Sequence, residues 1–139
     1  MADITVTAAQ VSLLDPMKAH VGTYIAAVAI TKGQAVAFDT DGKVQVADAN
    51  GSYKQFRGIA LNSADAGHAV EVVHEGKVAG FTVSSLNGDA LVYLSNTAGK
   101  LADAAGSTSV ATARVVALTN IPTLTKVLQV FTQWEADWS

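Results

Sequence analysis

Apolar and polar positions alternate in short stretches from the start of the chain. Ile4 and Val6 alternate with Thr5 and Thr7, the period-two spacing of a strand. The segment then turns at Leu14-Asp15-Pro16, because the residue before a proline is pushed away from helical backbone angles. Residues 1–20 are therefore expected as an extended N-terminal arm, ordered by docking onto its own domain or a neighbouring subunit. Residues 21–139 are expected as a single β-domain. From Tyr24 onward, apolar runs are separated by Thr31-Lys32-Gly33, Asp41-Gly42, Asn50-Gly51, Ala66-Gly67, Asn87-Gly88 and Ala98-Gly99. Such punctuation predicts an all-β sandwich or small barrel rather than alternating strands and helices. Asp41-Gly42, between the apolar 35–38 and 44–46, predicts a hairpin, since glycine supplies the positive φ of a tight turn. Only 101–105 has a helical look, and Gly106-Ser107 ends it at once.

A repeat organises this pattern. Gly33-Gln34-Ala35-Val36-Ala37-Phe38 resembles Gly88-Asp89-Ala90-Leu91-Val92-Tyr93, and Gly42-Lys43-Val44 resembles Gly99-Lys100-Leu101. Ala47-Asp48-Ala49 and Ala102-Asp103-Ala104 follow, and each copy closes on Arg57-Gly58-Ile59-Ala60-Leu61 or Arg114-Val115-Val116-Ala117-Leu118. The copies, about 33–61 and 88–118, suggest two similar β-units. Neither unit buries its apolar face alone, so the two are expected to share one core. The alternative is that glycine-spaced hairpins look alike by chance.

Composition narrows the function. Of the 139 residues 50% are apolar, 6% aromatic and 15% charged, a Val- and Ala-rich mixture suited to a pleated surface. The formal charge is −3 and the nine basic residues are scattered, which argues against a nucleic-acid binder. No basic amphipathic stretch suits a membrane surface, and the longest apolar run, 24–30, is far short of the roughly 20 residues of a membrane span. Zero cysteines excludes disulfides, cysteine-based zinc sites and a thiol nucleophile. The start, Met1-Ala2-Asp3-Ile4-Thr5, lacks a signal-peptide pattern, so synthesis in a cytoplasm is expected.

Candidate chemistry is thin. His68 and His74 share strand parity with Val70 and Val72, but lie about 20 Å apart along a straight strand, too far for one metal. They and His20 are expected at the surface or at strand ends. Asp39-Thr40-Asp41-Gly42 has too few acidic groups for a calcium loop and fits a turn. No serine elbow and no phosphate-binding glycine loop occurs, so neither an enzyme nor a cofactor is expected. Phe131, Trp134 and Trp138 stand out in this aromatic-poor chain, either as interface anchors or as a cover over one end of a barrel.

The runs Gly33-Gln34-Ala35-Val36-Ala37-Phe38-Asp39, Gly42-Lys43-Val44-Gln45-Val46-Ala47-Asp48-Ala49, Gly58-Ile59-Ala60-Leu61 and Ala66-Gly67-His68-Ala69-Val70-Glu71-Val72 resemble the phage capsid decoration, or cement, proteins. The opening Ala2-Asp3-Ile4-Thr5-Val6-Thr7 is similar to their extended arm, and the tail beyond Phe131 falls outside the pattern. The resemblance implies a β-tulip-like fold and a virion protein on the outer surface of an expanded capsid. It further implies a homotrimer that bridges major capsid subunits and stabilises the shell. The expected contacts with capsid or sister subunit are Ile4, Val6, Val11, Leu13 and Leu14 in the arm, by strand addition, with Phe131, Trp134 and Trp138 in the tail. Removing residues 2–15 should then leave a folded domain that no longer binds shells. The alternative reading is a carbohydrate- or receptor-binding β-module of a phage tail or fibre, with Trp134, Trp138, Glu135 and Asp137 as its only candidate site.

Overall fold

A computed structural model describes residues 2–119 and 124–138; Met1, residues 120–123 and Ser139, which fall within the expected arm and β-domain, lie outside the described residues. The strands are β1 (Ser12–Leu14), β2 (His20–Ile25), β3 (Ala35–Phe38), β4 (Val44–Val46), β5 (Gly58–Ala60), β6 (Ala69–Ala79), β7 (Leu91–Leu94), β8 (Leu101–Ala102), β9 (Ala111–Thr119) and β10 (Leu124–Val130). The only helical pieces among the described residues are two three-residue 3-10 turns flanking β1. None is long and apolar enough to cross a membrane.

All strand-to-strand pairing is antiparallel, in one sheet ordered β4-β3-β5-β6-β10-β9-β7-β8. That order reads the same from either end. β3 pairs β4 and β5, and β5 pairs β6; likewise β7 pairs β8 and β9, and β9 pairs β10. The two units meet where Leu128, Gln129 and Val130 face Val78, Lys77 and Gly76. Each unit opens with a hairpin closed by glycine at positive φ, Gly42 at 80° and Gly99 at 77°. The first closes by the Asp39 N–H donating to Lys43 O (2.9 Å), and the second by the Ser95 N–H donating to Lys100 O (3.0 Å), a loop one residue longer.

The sheet curls into a half-barrel, so that its first unit almost closes. Ala26, just past β2, bridges Val44 of β4, and the Ala27 N–H donates to Val44 O (2.9 Å). Two cores result. The smaller, inside the curl, holds Ala26, Ile30, Val36, Val44, Ala60, Val70 and Val72, with Tyr24 and Phe38 at its rim. The larger packs Ala35, Ala37, Phe56, Ile59 and Val73 against Val92, Leu94, Val115, Leu128 and Val130. Neighbours in sequence thus go to opposite cores, Val36 to one and Ala35 and Ala37 to the other. A sheet buried on both faces needs small side chains to let the layers approach, which accounts for the Ala and Val enrichment.

The arm docks on this same body. Ile4 and Val11 are buried in the larger core, with Val6 and Leu13 packed against it. The Ile4 N–H donates to Leu101 O (2.8 Å) and the Thr7 N–H to Gly80 O (2.9 Å). β1 pairs β6 through Ser12–Ala79, Leu13–Val78 and Leu14–Lys77. The expectation that residues 2–15 can be removed from an intact domain therefore changes, because that cut would strip two buried side chains from the core.

Candidate interaction surface

A bulge in β6 sets the geometry at one end of the small core. His20 pairs Glu75 while Val21 pairs Val73, so His74 has no residue opposite it. His74 lies on the same side as Val70 and Val72, as its parity implies, but it is only 7% exposed rather than at the surface. This corrects the expectation for that histidine. His68 is exposed, and His20 is exposed beside Glu75, 3.7 Å away.

Both ring nitrogens of His74 are engaged. Nδ1 is 2.6 Å from the Arg57 carbonyl oxygen and Nε2 is 2.6 Å from the Tyr24 hydroxyl. A carbonyl only accepts, so Nδ1 carries the hydrogen and Nε2 accepts from Tyr24. This is the neutral ring, in one tautomer. Burial holds its pKa below the ordinary histidine value; the bond to Arg57 opposes that shift, and the His20 and Arg57 charges add to it.

The C-terminal tail closes over this point. The Phe131 N–H donates to Thr112 O (3.0 Å), and the Thr132 hydroxyl sits 2.7 Å from the His74 carbonyl and 3.1 Å from that of Arg57. The Trp134 ring lies 5.0 Å from His74 and 6.4 Å from Phe38, with the Arg57 guanidinium 5.0 Å over its face. Tyr24 packs on Phe38 at 4.7 Å. Burial lowers the Arg57 pKa and the Asp137 charge works against it. Gln55 holds the end of the tail, donating to Asp137 Oδ1 (2.9 Å) and accepting from the Trp138 N–H (3.1 Å).

The expected contact residues thus separate. Ile4 and Val11 are buried; Val6, Leu13, Leu14 and Phe131 are half-buried; Trp138 packs against the large core. Trp134 alone is open, at 53% exposure, and it covers the rim of the small core with its inner side.

No protein-family model and no curated protein matches this chain.

A second exposed surface runs along β2, which pairs only β6 among the described strands. The Ala26 N–H donates to His68 O, in register with the ladder. Bonded pairs alternate in such a ladder, so Gly22 and Tyr24 address β6 while Val21 and Thr23 turn their backbone N–H and C=O to the open edge. Val21 and Ile25 are 43% and 45% exposed, and Val28 and Met17 are exposed nearby. Nothing in the sequence of β2 shows which of its sides lacks a neighbour. The group of Tyr24, Phe38, Arg57 and His74 has no local sequence signature, because its members are 50 residues apart at the widest and meet only through the curl. Asp39, by contrast, does what its turn motif implies. Its Oδ1 accepts from the Asp41 and Lys43 N–H groups at 2.9 Å each; desolvation works the other way, yet these bonds, Gln45 and the Lys43 charge hold the carboxyl below its ordinary pKa.

Proposed function

We propose that this chain is a structural virion protein that binds the outer surface of an expanded phage capsid and stabilises it by bridging major capsid subunits. The observation that carries the reading is the open β2 edge, where exposed Val21 and Ile25 flank unpaired backbone groups at Val21 and Thr23. An extended segment of a partner gains main-chain hydrogen bonds and apolar burial by adding to such an edge. With the arm engaged on its own body, strand addition falls to this edge instead of to Ile4, Val6, Val11, Leu13 and Leu14. The reading assigns the chain no catalytic step. It adds a homotrimer and the major capsid protein as partners by resemblance. Many weak contacts repeated over a lattice sum to a large stabilisation, and a ligand of the assembled shell shifts its stability by mass action.

The test is sedimentation of the purified protein with expanded, undecorated shells, followed by imaging. Saturable co-pelleting and regular added density support the proposal, and Val21→Lys combined with Ile25→Lys should abolish it in a folded protein. Absence of binding by the folded wild-type chain overturns it. The exposed Trp134 ring under Arg57 favours a second reading, a carbohydrate- or receptor-binding module. A glycan array comparing wild type with Trp134→Ala separates the two.

A further inference from the structure

We propose that His74 is an acid-operated catch for the C-terminal tail, and that protonation of its ring releases Trp134 and the residues after it from the body. The inference does not depend on the capsid reading. It rests on how one imidazole joins three parts of the chain. The ring donates to the backbone just before β5 through Arg57 O, accepts from Tyr24 of β2, and supports Trp134 of the tail.

A proton has one place to go, Nε2, where the Tyr24 hydroxyl now donates. The hydroxyl must then turn its hydrogen away and accept, giving up its own donor contact. The new charge arises at a mostly buried ring with Phe38, Tyr24 and Trp134 around it. A second cation already uses the same indole, because the Arg57 guanidinium lies 5.0 Å over the Trp134 ring and bonds Gln133 O (3.4 Å). Two cations then share one indole at a mostly buried site, and the partly exposed Trp134 is the member of the group that can leave.

The surrounding charges do not cancel this effect. On β2, His20 is itself basic, and its partner Glu75 of β6 is turned to solvent beside it. Just past β3, the Asp39 carboxylate is committed to its own turn. In the segment before β5 stand Lys54 and Arg57, both cations. In the tail, Glu135 is exposed and Asp137 is bonded to Gln55, with its field acting on Arg57. The lowered His74 affinity for protons agrees with this inventory.

Trp138→Phe leaves Trp134 as the only indole, so acrylamide quenching reads its exposure directly. From about pH 8 to about pH 5, quenching should rise and the emission shift to the red, with a midpoint below the ordinary histidine range of about 6.5. Far-UV circular dichroism should stay constant across the same midpoint. In His74→Asn, whose amide keeps a donor toward Arg57 O, the change should vanish. In the otherwise unmodified chain, ring-nitrogen NMR should place the His74 titration at the same midpoint as faster hydrogen exchange in 131–138. Three results would overturn the catch: unchanged quenching while His74 titrates, a transition that persists in His74→Asn, or loss of the sheet at that midpoint.

Discussion

The two ends of the chain lie on one body and are held there by different forces. The arm contributes Ile4 and Val11 to the large core and continues the backbone pairing of its neighbours, with the Thr82 N–H donating to Thr5 O at 2.9 Å. The tail contributes half-buried rings, a shared threonine hydroxyl, a glutamine clamp and a stack on a histidine. A segment whose side chains complete a core is part of the fold, whatever lies around it. A segment held by half-buried rings, side-chain hydrogen bonds and one titratable group is more easily released than one that completes a core.

Four measurements sharpen that contrast, and the largest effects belong to the arm. Ile4→Ala should lower unfolding free energy by about 2–4 kcal/mol in urea titrations, since it empties a buried site. Gly80→Ala should cost about 1–3 kcal/mol and make the arm sensitive to protease, because Gly80 sits at φ 103° and an added Cβ would lie 2.7 Å from Val11 backbone atoms. Trp134→Ala should cost about 1–2 kcal/mol through lost ring and guanidinium contacts, with no effect on arm protection. The smallest effect is the pH dependence. Because the folded His74 binds its proton more weakly than the unfolded chain does, its contribution is complete above about pH 6.5 and is lost as pH falls toward the depressed folded value. Urea midpoints at descending pH should fall in the wild type and fall less in His74→Asn. Equal sensitivity of arm and tail to acid would erase the distinction drawn above.

Much of the architecture is legible in the sequence because it is local. Glycines at positive φ mark both hairpins, and period-two alternation marks the opening of β6. The similar hairpin sequences fall on strands with matching neighbours in the sheet. What is not legible depends on curvature. Whether Val21 and Ile25 face a neighbour or solvent is decided by the free edge of β2, which no local pattern encodes. The burial of His74 comes from one bulge and from a tail that returns after about 60 residues, so strand parity alone leaves it at the surface. The docking of Ile4 is a third case: its alternation predicts a strand and is silent on which body receives it.

Burial on both faces of the sheet has a consequence for how this chain tolerates change. An ordinary surface strand accepts replacement at every second position. Ala35, Val36 and Ala37 are all fully buried, as are Val72 and Val73, with His74 nearly so. Along 35–37 and 72–74 a saturation mutagenesis profile, scored on soluble folded protein, should therefore lose its alternation and show an unbroken trough. Along 20–25 the two-residue rhythm should survive. Sequence drift in such a protein is channelled away from its strands and into exposed turn positions such as Thr40 and Asp41, while Gly42 beside them has open space but is kept by its φ of 80°.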